Sequence, residues 1–81
     1  MPGLRRLYAP QRVAVRTDPG GAPLKVEGVT VEAVREEWLV EDRWWTPKPL
    51  RRHYFELALG DGRAMTVFRN ARGQRWYRQR A

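Results

Sequence analysis

Residues 50–70 read LRRHYFELAL, then GDG, then RAMTVFRN, and this stretch decides the fold. Two β-rich runs flank Gly60-Asp61-Gly62, and an Asp-Gly pair supplies the positive φ angles that a tight two-residue hairpin turn needs. With Asp61-Gly62 as the turn, Gly60 faces Arg63, and Leu59/Ala64, Leu57/Thr66 and Phe55/Phe68 become cross-strand pairs on one core face. The opposite face then carries Tyr54, Glu56, Met65, Val67 and Arg69, a mixed set suited to partial contact with water.

Outward from the hairpin, residues 43–49 read as a loop. Pro47 and Pro49 fix φ, and Trp44 and Trp45 cannot both point inward from an extended backbone, so one of them is expected at the surface. On the other side, Asn70-Ala71-Arg72-Gly73 reads as a type I turn closed by a left-handed glycine. Gln74 to Arg80 then returns as a strand with Trp76 and Tyr77 on opposite faces, one for the core and one available.

Upstream, Val29 to Asp42 admits two readings. Val31, Val34 and Trp38 fit a helical stripe with Thr30 as its cap. The same segment alternates with period 2 in two phases, Val29, Val31 and Ala33 and then Val34, Trp38 and Val40, which a bulge near Ala33-Val34 reconciles on one bent strand. The bent strand is the favoured reading, because every neighbouring run is strand-like and a helix would leave the sheet short of partners. Pro23 to Glu27 is a short strand with Leu24 and Val26 in phase, punctuated by Gly28. Asp18-Pro19-Gly20-Gly21 is a turn on composition. Gln11 to Thr17 offers Val13 and Val15 on one face, and its edge is exposed to pairing between copies. Residues 1–10, with Pro2, Gly3 and Pro10, read as a flexible arm carrying Leu7 and Tyr8, and residues 11–81 as one small β domain.

The expectation is therefore an all-β domain, a small curled antiparallel sheet or SH3-like barrel of five to six strands. With 81 residues it lies near the lower size limit for a single apolar core, which four Trp, three Tyr and two Phe help to fill. The absence of cysteine removes disulfides and thiolate metal sites. No apolar run approaches the roughly 18 residues of a membrane span and residues 1–10 lack a signal-peptide middle, so a cytoplasmic protein is expected. The lack of Ser, Cys and Ile beside many Arg and Pro fits a thermophile host, and genome composition gives the same pattern.

Charge is uneven. Residues 1–42 carry six cations against seven acids, whereas residues 43–81 carry ten cations against two, within a net charge of +7. Fourteen of the sixteen cations are Arg, the side chain suited to bidentate phosphate contacts and to stacking. Catalytic candidates are few. There is no Ser or Cys, Thr17, Thr30, Thr46 and Thr66 have no base nearby in sequence, and His53 stands alone among arginines. The adjacent acids Glu36-Glu37 and Glu41-Asp42 point apart on an extended strand, which argues against a carboxylate pair or a metal site. No catalysis and no cofactor are expected. The positive signal is arginine interleaved with rings, in Arg43-Trp44-Trp45, Arg51-Arg52-His53-Tyr54 and Arg75-Trp76-Tyr77-Arg78. Guanidinium groups meet phosphates while ring faces stack bases.

The order of these features, from the Val-rich first strand through Trp38, Trp44-Trp45, Arg51-Arg52-His53-Tyr54-Phe55, Gly62, Val67-Phe68-Arg69-Asn70 and Gly73 to Trp76-Tyr77, resembles a small bacterial family of unknown function. The part from Trp38 to Tyr77 also resembles the C-terminal tail of inducible-mutagenesis proteins of the ImuB type, the polymerase-like partners of error-prone DNA synthesis. The resemblance implies association with DNA repair or translesion synthesis, with a polymerase or repair protein as partner, and it carries no catalytic residues. The leading expectation is a non-catalytic module that binds DNA or RNA, single-stranded by preference, through Arg51, Arg52, Arg69, Arg75 and Arg78 with Trp45, Tyr54 and Tyr77 on one wetted surface. The alternative is a protein-interaction module anchored by Trp44 or Trp45.

Overall fold

The computed structural model describes residues 10–42, 47, 50–71 and 73–79; residues 1–9 of the expected arm and the Trp44-Trp45 pair lie outside the described residues. The chain forms seven strands and no helix among these residues: β1 (Gln11–Val13), β2 (Val15–Thr17), β3 (Pro23–Val26), β4 (Val29–Asp42), β5 (Leu50–Leu59), β6 (Ala64–Asn70) and β7 (Trp76–Arg78). They make one antiparallel sheet in the order β1-β7-β6-β5-β4-β3-β2. The two outer strands are separated by Ala14 alone, so the sheet curls until it nearly closes as a barrel. This accounts for the count of seven where five or six strands were expected, because 11–17 divides at Ala14 between two partners. Val13 pairs with Trp76 in β7, and Val15 pairs with Val26 in β3. The Glu27 N–H donates to the Ala14 carbonyl at 2.8 Å, and the Ala14 N–H donates to Glu27 Oε1 at 3.2 Å. Gln11 to Thr17 is thus paired on one side along its length, β1 with β7 and β2 with β3, and supplies both end strands of the sheet.

The hairpin forms, but its register is shifted by one residue. Leu57 faces Met65, Phe55 faces Val67 and Tyr54 faces Phe68, in place of Leu57/Thr66 and Phe55/Phe68. The cause is the loop. The Gly62 N–H donates to the Leu59 carbonyl at 3.0 Å, the Leu59 N–H donates to the Arg63 carbonyl at 2.8 Å, and Gly62 has φ +90° while Asp61 stays out of the left-handed region. That is a type I turn followed by a left-handed glycine, a three-residue loop. Asp61 braces it by accepting from the Arg63 N–H (3.1 Å) and from Arg63 Nε (2.8 Å). The backbone N–H of Arg63 holds the Asp61 carboxyl below its ordinary pKa. The two-residue turn occurs instead between β3 and β4, where Glu27 (φ 49°) and Gly28 (φ 79°) both adopt the left-handed conformation between the paired residues Val26 and Val29.

The one-residue shift decides which side chains fill the barrel, because side chains alternate strictly along a strand. Phe55, Leu57, Leu59, Met65 and Val67 share the inner face and cluster with Val13, Val26 and Trp76, with Val15, Val29 and Val31 packed against them. Met65 and Val67 therefore belong to the core, not to the mixed face. Leu24 also departs from expectation. The β2–β3 register slips between Thr17↔Pro23 and Arg16↔Lys25, so Leu24 is an extra residue thrown outward while Pro23 and Val26 are buried.

Residues 29–42 form the bent strand, not the helix. The bend takes two bulges: Glu32 and Arg35 are each an extra residue, since Val31 faces Leu59, Val34 faces Leu57 and Glu36 faces Glu56. After the second bulge the phase is reversed, so Glu37, Leu39 and Glu41 lie on the side of Phe55, while Trp38 and Val40 lie on the outer side with Tyr54. At the far hairpin, the Gly73 N–H donates to the Asn70 carbonyl at 3.0 Å as expected, but Gly73 does not have a positive φ, and the returning strand is limited to Trp76–Arg78.

Candidate nucleic-acid interface

With the register fixed, one rung crosses five strands on the outer face: Trp38, Tyr54, Phe68, Tyr77 and Arg12. Its four rings form a continuous row. Trp38 and Tyr54 stack at 5.3 Å between centroids and 6° between planes, Tyr54 and Phe68 meet at 4.9 Å, and Phe68 and Tyr77 stack at 5.4 Å and 24°. Adjacent antiparallel strands bring paired side chains within ring-contact distance, so four ring-bearing positions in register necessarily form such a row. The inner rings are covered, Tyr54 at 9% and Phe68 at 2% exposure, whereas Trp38 at one end is 37% exposed and Tyr77 at the other is half-buried.

Arg52, one rung along on the same face, lays its guanidinium over the Phe68 ring at 4.9 Å. Such contact holds a cation beside the rings, and among the described residues no carboxylate pairs with it. On the other flank the charge reverses, since Glu36 and Glu56 face each other directly across β4 and β5. The row thus separates an arginine flank from an acidic flank, and an anion is attracted to the first.

The expected site residues are not all gathered on this surface. Arg52, Tyr54 and Tyr77 lie on the outer face. Arg51, Arg69 and Arg78 alternate to the opposite face, as paired neighbours of Glu41, Trp76 and Val67. Arg51 is joined to Glu41 at 3.3 Å, and Arg69 sits over Trp76 at 5.6 Å, against Gly21. Arg75 is exposed in the segment before β7, and Trp44 and Trp45 lie outside the described residues. A single surface holding all five arginines is therefore corrected to a smaller one: strand alternation turns Arg51, Arg69 and Arg78 away from Arg52, and Arg75 lies outside the strands. Trp38, Phe68 and Arg12 were not expected here: the second bulge of β4 sets Trp38 beside Tyr54, the shifted hairpin register sets Phe68 there, and β1–β7 pairing sets Arg12 beside Tyr77.

His53 Nε2 donates to Glu37 Oε2 at 2.7 Å, and the ring stacks on Phe55 at 4.3 Å, tying β5 to β4. A shallow, open depression of about 390 Å³ between β2 and β3 is lined by Ala14, Val15, Arg16, Lys25 and Gly28 and holds no acid–base pair. No group of three or more His, Asp or Glu among the described residues has metal-binding proximity. Nor is any helix among them long and apolar enough to cross a membrane.

No family model, curated protein or solved structure matches the chain. The functional reading therefore rests on the geometry of the outer face.

Proposed function

We propose that this domain is a non-catalytic module that binds single-stranded DNA or RNA along the outer rung. The observation that carries the reading is the four-ring row with the Arg52 guanidinium lying over its centre. A domain this small has little apolar material to spare, yet it carries four rings in one row across its outer face, the inner two buried and the end two, Trp38 and Tyr77, reaching water. Bases stack on the end rings, Trp38 and Tyr77, while Arg52 and Arg12 meet the phosphates between and beyond them. Tyr54 and Phe68 hold the end rings in place. The net charge of +7 draws the polyanion, and the Glu36/Glu56 flank keeps the backbone on the arginine side. A DNA-repair or translesion setting, with a polymerase or repair protein nearby and a cytoplasmic location, is the context this proposal takes from the resemblance of residues 38–77.

The test is a fluorescence-anisotropy titration with a labelled oligonucleotide at two salt concentrations. If about four phosphates are neutralised, affinity for a single strand falls by about 50-fold between 50 and 200 mM salt. Weak binding that is indifferent to salt removes the proposal.

A further inference from the structure

Past Thr30, β4 is hydrogen-bonded to β5 on one side and to no strand among the described residues on the other. Every residue from Glu32 to Glu41 is exposed. Bulges at Glu32 and Arg35 break the base of this edge, but from Glu36 onward the register with β5 runs unbroken to Asp42. A regular, unpaired edge presents a row of backbone donors and acceptors to any extended chain. Its centre is apolar on both faces, with Leu39 57% exposed on one and Trp38 (37%) and Val40 (38%) on the other. Acids bracket that centre: Glu37 and Glu41 on the face of Leu39, and Glu36 on the face of Trp38.

We infer that this edge receives a basic, extended segment of a partner protein, which adds as a further strand beside β4. Its Lys or Arg side chains face Glu36, Glu37 and Glu41, and its central apolar side chains cover Leu39, Val40 and the edge of Trp38. The charge distribution selects this occupant. β4 holds five of the nine acids of the chain and one Arg, a local charge of −4 on a molecule of net charge +7. Those acids repel nucleic acid. They also disfavour a second copy, because antiparallel pairing of two β4 strands about Leu39 sets Glu37 against Glu41 and Glu36 against Asp42, and parallel in-register pairing sets each acid against itself. His53 and Arg51 hold Glu37 and Glu41 from the β5 side while leaving both carboxylates at the surface. Strand addition of this kind draws affinity from the main chain and specificity from alternating side chains.

The experiment uses the full chain and a labelled heptapeptide, Arg-Lys-Val-Val-Thr-Arg-Lys, with a counterpart in which Glu replaces every Arg and Lys. The basic peptide is expected to bind, to shift backbone amide resonances along residues 31–42, and to exceed its acidic counterpart by at least about tenfold. Leu39→Lys, at an exposed position, is expected to weaken binding by about tenfold with an unchanged melting temperature. Equal binding of the two peptides, resonance shifts confined to Arg52 and the rung of Tyr77, indifference to Leu39→Lys, or dimerisation of the free chain that Leu39→Lys abolishes would each overturn the inference.

Discussion

Met65→Lys is expected to remove a third or more of the chain's stability, about 4 kcal/mol at least, while Thr66→Lys leaves it as stable as the parent or slightly more so. Met65 is 7% exposed in the core cluster, directly opposite the fully buried Leu57. An ammonium placed there has no carboxylate to meet, and enclosing an unpaired charge costs about 4 kcal/mol or more. A domain of this size has only about 4–12 kcal/mol to lose. Thr66 points to the other face, on the rung where Glu56 and Glu36 stand side by side. A lysine at that position gains an opposite charge across the strand, worth about 0.2–1 kcal/mol, and eases the repulsion between the two acids. Urea unfolding followed by tryptophan fluorescence separates the two variants. Greater damage from Thr66→Lys would restore the register in which residue 66 faces Leu57.

Trp38→Ala is expected to weaken binding of a single-stranded oligonucleotide by about 5- to 150-fold, the loss of roughly 1–3 kcal/mol from one stacked base. The ring stands at the open end of the row, and its inner face is already held by Tyr54. Leu39→Ala, next door in sequence but on the other face of β4, serves as the control and leaves the oligonucleotide affinity unchanged. Anisotropy titrations at one fixed salt concentration measure both. Equal affinities for the Trp38→Ala and Leu39→Ala variants would show that stacking at the row end contributes nothing.

The class of fold was legible because hydrophobic alternation and turn residues report directly on strands. That residues 29–42 form a bent strand was legible too, but not its phases: where one bulge was expected to bring the apolar residues together, two bulges leave Ala33, Trp38 and Val40 on the face opposite Val31 and Val34. The register of the central hairpin was not legible either. Gly60-Asp61-Gly62 fits a two-residue turn at Asp61-Gly62 and a three-residue loop ending at Gly62 equally well by composition, and only the backbone angle of Asp61 distinguishes them. That single residue of difference moved Met65 and Val67 to the inner face and Phe68 to the outer one, where it stays buried, and with Phe68 went the recognition of the ring row. The arginines suffered from a related ambiguity. Arg51 and Arg52 are adjacent, so a strand necessarily sends them to opposite faces, and a sequence cluster of cations overstates what any one surface receives. The second bulge, at Arg35, carried no residue signal of its own. It is fixed by pairing with β5, which turns Trp38 toward Tyr54.

Closure through Ala14 also orders the steps by which the barrel is made. The hairpins β3–β4 and β5–β6 join neighbours in sequence, whereas Val13 must find Trp76 across most of the chain. Distant encounters carry the larger loop-closure cost and come late. Val13→Ala is therefore expected to accelerate unfolding while barely slowing refolding in stopped-flow measurements, and a matching slowdown of refolding would mean that the seam closes before the hairpins do. The kinetic lifetime of the native state is then set at the seam where β1 meets β7.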